Sequence, residues 1–194
     1  MDMIFLKGDN IMEKRPVEDL KEEHGGIIAM LEVMSFVAKR LKNREEVRKD
    51  HLSKIAEFLN VFADKCHHGK EEDILFPEVI KDKSNLFMVN ELLGEHKSGR
   101  DYIRGIIESL KYYETGNLHA YHIAVNMEGY ISLLKEHIKK ESLSLFPIAD
   151  KQIPDDIQSS MEEKFEALER DVIGEGMHEK YHGWLKDLQK IYLI

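Results

Sequence analysis

Apolar residues recur along this chain three and four positions apart, the spacing of helices, and no stretch alternates as a half-buried strand does. Leu20, Ile27, Ile28, Leu31, Met34 and Val37 mark the first stripe. Pro16, whose fixed φ suits a first helical turn, opens it, and Leu41-Lys42-Asn43 closes it. A second stripe runs from about Glu45 through Leu52, Ile55, Leu59 and Phe62 and yields at Pro77. Ser84-Asn85 can cap a third, which carries Leu92, Leu93, Ile103, Ile106 and Leu110 toward Gly116. A fourth spans about Leu118 to Leu145 and yields at Pro147. Helices of this length joined by short turns predict an all-α fold, an up-down-up-down four-helix bundle over residues 16–150.

Residues 151–194 differ in character. Pro154-Asp155-Asp156 places acids in the first turn of a fifth helix, where the helix dipole favours them. That helix is expected to reach about Val172, with a break at Gly174 and Gly176 and a sixth helix from about His178 to Tyr192. About 40 residues make a poor independent core, so this C-terminal hairpin is expected to pack on the bundle as an extension.

One pattern cuts across the helices. His67-His68-Gly69-Lys70-Glu71 leads to Leu75-Phe76-Pro77, and His137-Ile138-Lys139-Lys140-Glu141 leads to Leu145-Phe146-Pro147. The two HxxxE units lie 70 residues apart, and Lys65 and Lys70 match Lys135 and Lys140. A lone histidine precedes each, His24 inside Glu23-His24 and His96 inside Glu95-His96. This is an internal duplication of metal-ligand residue types. Residues four apart share a helix face, so each HxxxE presents an imidazole and a carboxylate to one point. With all four helices aiming these positions inward, the core holds four imidazoles and two carboxylates. His24 and His67 then serve one metal, His96 and His137 another, and the carboxylates bridge. Burying two Glu carboxylates uncompensated would cost several kcal/mol each, and a dinuclear cation supplies the compensation. Imidazole plus carboxylate suits iron, zinc or manganese, and the lack of thiolate ligands argues against an iron–sulfur cluster.

The order H…HxxxE…H…HxxxE in a four-helix bundle resembles the hemerythrin family, specifically its bacterial and archaeal HHE cation-binding branch. Residues 67–77 look like that branch's second-helix signature and residues 137–147 like its fourth-helix counterpart, within a resemblance that covers about 16–150. The resemblance implies a non-haem di-iron centre bridged by two Glu carboxylates and an oxo or hydroxo group. Carried onto this chain, its ligands are His24, His67, Glu71, His96, His137 and Glu141. The oxygen-carrying members have a further histidine one turn after the third-helix histidine, and here that position is Arg100. One metal is thereby left short of a ligand, which points away from reversible oxygen carriage. The expected function is binding or redox turnover of a small ligand such as dioxygen, peroxide or nitric oxide. The rival is a non-catalytic metal-binding or sensor protein.

His178-Glu179-Lys180-Tyr181-His182 formally matches the HExxH zinc-protease motif, but only twelve residues follow it and no further histidine supplies a third ligand. Two other readings remain: a structural pair, or a hairpin that folds back and lends His178 or His182 to the ligand-short metal. His68, about 100° around the helix from His67, is expected outside the ligand face. Cys66 reads as a packed small residue, and Tyr130, two turns before His137, as core or as a donor to a bound ligand. His51, His119 and His122 are expected at helix ends or exposed positions.

Composition narrows the partners. A net charge of −9 without a basic cluster argues against nucleic acid. No run approaches the ~20 apolar residues of a membrane span. Met1 to Leu6 is briefly apolar but contains Asp2 and no basic flank, a poor signal peptide. A lone cysteine fits a reducing cytoplasm. The sequence specifies no oligomeric state.

Overall fold

The computed structural model describes residues 15–174 and 176–193, and among these there is no strand. Six helices follow one another. Helix α1 is Pro16–Lys42, with Glu18 and Asp19 in its first turn and Lys39, Arg40 and Lys42 in its last, the arrangement the helix dipole favours. Helix α2 covers 49–79, α3 is Leu86–Leu110, and α4 covers 118–152. Helix α5 is Asp155–Val172 and α6 is Met177–Tyr192. The Asn117 side chain accepts the Ala120 amide at the head of α4, and a short 3₁₀ turn, Lys83–Asn85, leads into α3.

Neither proline ends its helix. Pro77 and Pro147 each fall in the first turn of a closing α segment, Phe76–Val79 and Phe146–Gln152. Each segment is preceded by a widened π turn, Glu71–Leu75 and Glu141–Leu145, in which the Phe76 and Phe146 amides reach back five residues to the Glu71 and Glu141 carbonyls. The wide turn absorbs the missing N–H and the ring clash that would break a regular α-helix. A longer π stretch, Phe58–His68, occupies the middle of α2.

α4 packs along both α1 and α3, and the hairpin of α5 and α6 lies across α1 and α2. His24 sits early in α1, His67 late in α2, His96 early in α3 and His137 late in α4. They meet at one level because successive helices run in opposite directions. Two apolar clusters lie on either side of that level. The larger contains Met34, Leu59, Ile106 and Met127 together with Tyr181 and Leu188 of the hairpin. The smaller contains Leu20, Leu75, Leu92 and Phe146 with Met161 and Phe165 of α5, and Leu168 packs against both. His51 sits at a helix end, as expected, and is buried there: its Nδ1 lies 2.9 Å from the Tyr192 hydroxyl and ties the start of α2 to the end of α6.

Candidate metal centre

The polar layer between the apolar clusters consists of the six duplicated residues and one more. His24, His67, His96 and His137 are at most 3% exposed, and Glu71 and Glu141 are wholly buried. Glu141 lies between two imidazoles, one oxygen 3.1 Å from His24 Nε2 and the other 3.1 Å from His137 Nε2. Glu71 does the same for the opposite pair, 3.6 Å from His67 Nε2 and 3.4 Å from His96 Nε2. Donor atoms of His24, His67, Glu71 and Glu141 all fall within 4.8 Å of one another, as do those of His68, Glu71, His96 and His137. Glu71 belongs to both groups.

The rings are oriented from behind. His67 Nδ1 donates to Glu23 at 2.7 Å, His137 Nδ1 to Glu95 at 2.8 Å and His96 Nδ1 to Glu72 at 2.7 Å. Burial opposes the charge on Glu23 and Glu72, but His67 with Lys70, and His96 with Arg100, hold both carboxyls below their usual range. The bond from His137 lowers Glu95 likewise. Ionised acceptors keep the proton on each Nδ1 and turn the Nε2 lone pair into the layer. Lys70 and Lys140 complete the repeat, the first donating to Glu23 at 2.6 Å and the second to Glu95. Phe76 stacks on His96 and Phe146 on His24, at 5.7 and 5.3 Å between ring centroids, so the Leu-Phe-Pro repeat walls the layer.

Polar atoms in this layer are left without partners. His24 Nε2, His68 Nε2 and all four carboxylate oxygens of Glu71 and Glu141 are buried with no hydrogen bond. His96 Nε2 and His137 Nε2 face each other at 3.0 Å, although each ring already commits its Nδ1 proton to a carboxylate. Buried lone pairs left in this way are costly, and cations among them resolve the deficits at the Nε2 atoms and the carboxylates at once, leaving His24 Nδ1. The donor set therefore fits a metal. Without one, burial and the Glu141 charge push Glu71 far up. Burial disfavours the Glu141 charge too, yet His137 and His24 hold that carboxyl well down. The Glu141 and Glu95 carboxylates overcome burial at His137 and raise it to about 9.

The profile of the Hemerythrin HHE cation binding domain matches residues 15–149. The chain belongs to the hemerythrin family. No curated protein and no solved structure matches it.

Within this hemerythrin domain, one expectation is overturned, that of His68. His68 is not outside the ligand face; it is 1% exposed and its ring lies parallel to His96, 3.9 Å away. The π stretch ending at His68 has more residues per turn than an α-helix, so consecutive side chains are rotated by less than 100° and both histidines face inward. Arg100 supplies no imidazole but is tied to the layer's support: its Nε donates to Asp64 at 2.8 Å and its guanidinium also donates to Glu72, the acceptor behind His96. His178 and His182 are not brought to the layer. They pack against Phe62, 5.7 and 6.4 Å between centroids, and neither belongs to a cation-sized donor group among the described residues.

What the hairpin does bring is Glu169, which accepts from Lys70 at 3.2 Å while Asp19 accepts at 2.8 Å. Lys70 is 1% exposed, and these carboxylates with Glu23 drive its pKa up against burial. A third acidic group, Glu23, Cys66 and Glu169, already has its cation in this ammonium. Burial pushes the Cys66 thiol up to about 12, so it behaves as a packed residue. Tyr130 is fully buried with an unpartnered hydroxyl, its ring against Gly99. The duplication pointed to Glu23, Glu95 and the lysines as repeated residues without a role. Glu72 stands outside the repeat, opposite Ser142, and no pattern marked it.

Proposed function

We propose that the chain is a non-haem di-iron protein that binds or redox-processes a small ligand such as dioxygen, peroxide or nitric oxide at a carboxylate-bridged centre. The single observation that supports it most is the sharing of two unpartnered carboxylates between opposite imidazole pairs. One iron would be held by His24 and His67, the second by His96 and His137, with Glu71 and Glu141 serving both and an oxo or hydroxo group completing the bridge. Zinc and manganese suit the same donors. Bound iron would supply electrons and an open Lewis-acidic position. The chain's own residues orient and exclude: Glu23, Glu72 and Glu95 fix the imidazole tautomers, and Phe76 and Phe146 keep the layer dry. No helix among the described residues is long and apolar enough to cross a membrane. We place the protein in the cytoplasm, without nucleic-acid or membrane partners, on its charge and its single cysteine.

A second reading, a non-catalytic metal or redox sensor, draws support from the run Glu169–Lys70–Glu23–His67, which joins α5 to the centre. The test is elemental analysis and absorption spectroscopy of anaerobically purified, iron-loaded protein. Two irons per chain, with a charge-transfer band that responds to oxygen or nitric oxide and turns over under a reductant, is the expected result. Stoichiometric binding without turnover, alongside metal-dependent hydrogen-exchange protection of residues 155–192, favours the sensor. His67→Ala and Glu141→Ala should each drop iron well below two per chain. Full occupancy in both variants overturns the ligand assignment.

A further inference from the structure

We propose that His68 is a fifth imidazole donor, completing the metal position of His96 and His137; this rests on the metal-binding reading above. Its Nε2 is buried and has no hydrogen-bond partner, and the ring is 1% exposed. A donor atom of His68 lies within 4.8 Å of those of Glu71, His96 and His137. The ring stands parallel to His96 and edge-on to His137, 5.7 Å between centroids. Its Nδ1 faces Asp64 at 3.4 Å, and Arg100 holds that carboxylate as well as Glu72 behind His96. One guanidinium thus steadies the acceptors behind two neighbouring rings. A carboxylate behind Nδ1 leaves Nε2 as the metal-facing nitrogen, the arrangement of His67, His96 and His137.

The duplication supplies a control. The residue equivalent to His68 in the second unit is Ile138, a packed core residue at 6% exposure. An apolar side chain satisfies that position, so a buried imidazole with an unsatisfied nitrogen has no packing justification in the first unit. The centre is therefore asymmetric: His68, His96 and His137 on one side, His24 and His67 on the other.

The deciding measurement is nitrogen NMR of zinc-loaded, full-length wild-type protein labelled with ¹⁵N-histidine, with elemental analysis of the same sample. Five Nε2 resonances at metal-bound shifts are expected, from His24, His67, His68, His96 and His137. His68→Phe, which keeps a ring against His96, should remove one of them and lower zinc from two toward one per chain while the His24 and His67 signals persist. Two zincs per chain with an unshifted His68 Nε2 in the wild type overturns the inference and leaves the dinuclear reading intact. A wild-type chain that takes up no zinc and no iron overturns both. The wild-type count decides the matter even if His68→Phe fails to fold.

Discussion

The two halves of the centre are built from one repeat and set in different surroundings. In the first, Glu23 accepts from His67 and from Lys70, and α5 covers that lysine with Glu169 and with Phe165, whose ring centroid lies 5.4 Å from the ammonium. In the second, Glu95 accepts from His137 and Lys140, but Lys140 stays 41% exposed. The imidazole supports are reversed in strength: His96 has Glu72 and Arg100 behind it, whereas His24 Nδ1 has no partner. Duplication supplies the donors, and later departures from it decide how firmly each is held and what each reports to.

The largest expected effect separates the two bridging carboxylates. Glu71→Leu and Glu141→Leu should both abolish two-metal binding. Their effects on the metal-free fold should oppose each other. Glu71 is a buried, unpartnered carboxyl whose charge is disfavoured by burial and by Glu141, so replacing it by an apolar side chain should stabilise the metal-free chain by about 1–3 kcal/mol. Glu141 is the counter-charge of His137, and its loss should cost about 3–5 kcal/mol. Urea denaturation in the presence of a chelator measures both, and shifts of the same sign would refute the asymmetry.

The lysines come next. Lys70→Met leaves the buried Glu23, beside the partly exposed Asp19 and Glu169, without its lysine and should destabilise the protein by about 3 kcal/mol. Lys140→Met removes an exposed pair and should cost under about 1 kcal/mol. Equal losses in the two variants would mean that α5 contributes nothing to the first half.

These contrasts also show what the sequence makes legible. The stripes of Leu, Ile and Met and the turn residues locate all six helices, because burial period and capping are local properties. The six donors stand out because the same residue types recur at nearly the same spacing. A rotation of 100° per residue, which puts His68 off the ligand face, assumes an α-helix, and the π stretch is a tertiary adjustment with no periodic signature. The doubled histidine facing a single His137-Ile138 was the available clue. His178 and His182 have the right chemistry, but which face of α6 meets α2 is set by the packing of Tyr181, Leu185 and Leu188, so motif spacing carries no information about their reach.

Protons should compete with metal. In the metal-free centre His137 is raised to about 9, so it holds a proton near neutrality that a cation must displace, and the upward shift of Glu71 acts in the same direction. Affinity for zinc or iron should therefore rise with pH between about 6 and 9, by roughly ten-fold per unit for each proton displaced. Over the same window the metal-free fold should weaken. A histidine raised from 6.5 to about 9 contributes stability that is complete below 6.5 and is lost as pH climbs through 9. Calorimetric titration at pH 6, 7 and 8 in buffers of different ionisation enthalpy reads the protons released, and a pH-independent affinity would sink this account.

The smallest effect tests whether the missing support can be restored. Glu72 follows Glu71 and accepts from His96, and Ser142, exposed, follows Glu141 in the equivalent place of the second unit. The two rings sit alike on their phenylalanines, interplanar angles 22° and 24°, so a carboxylate at 142 should meet His24 Nδ1 much as Glu72 meets His96. Ile28, 39% exposed, stands four residues after His24 as Arg100 stands four after His96, so the new acceptor would lack a guanidinium behind it. Ser142→Glu should consequently tighten metal binding by only about three- to ten-fold, less than the range seen when an existing partner is removed. Competition against a chelator of known affinity resolves a change of that size. Weaker binding would show that the freedom of His24 is a requirement of the centre, and the two halves would then differ by design at the ring nearest α1's first turns.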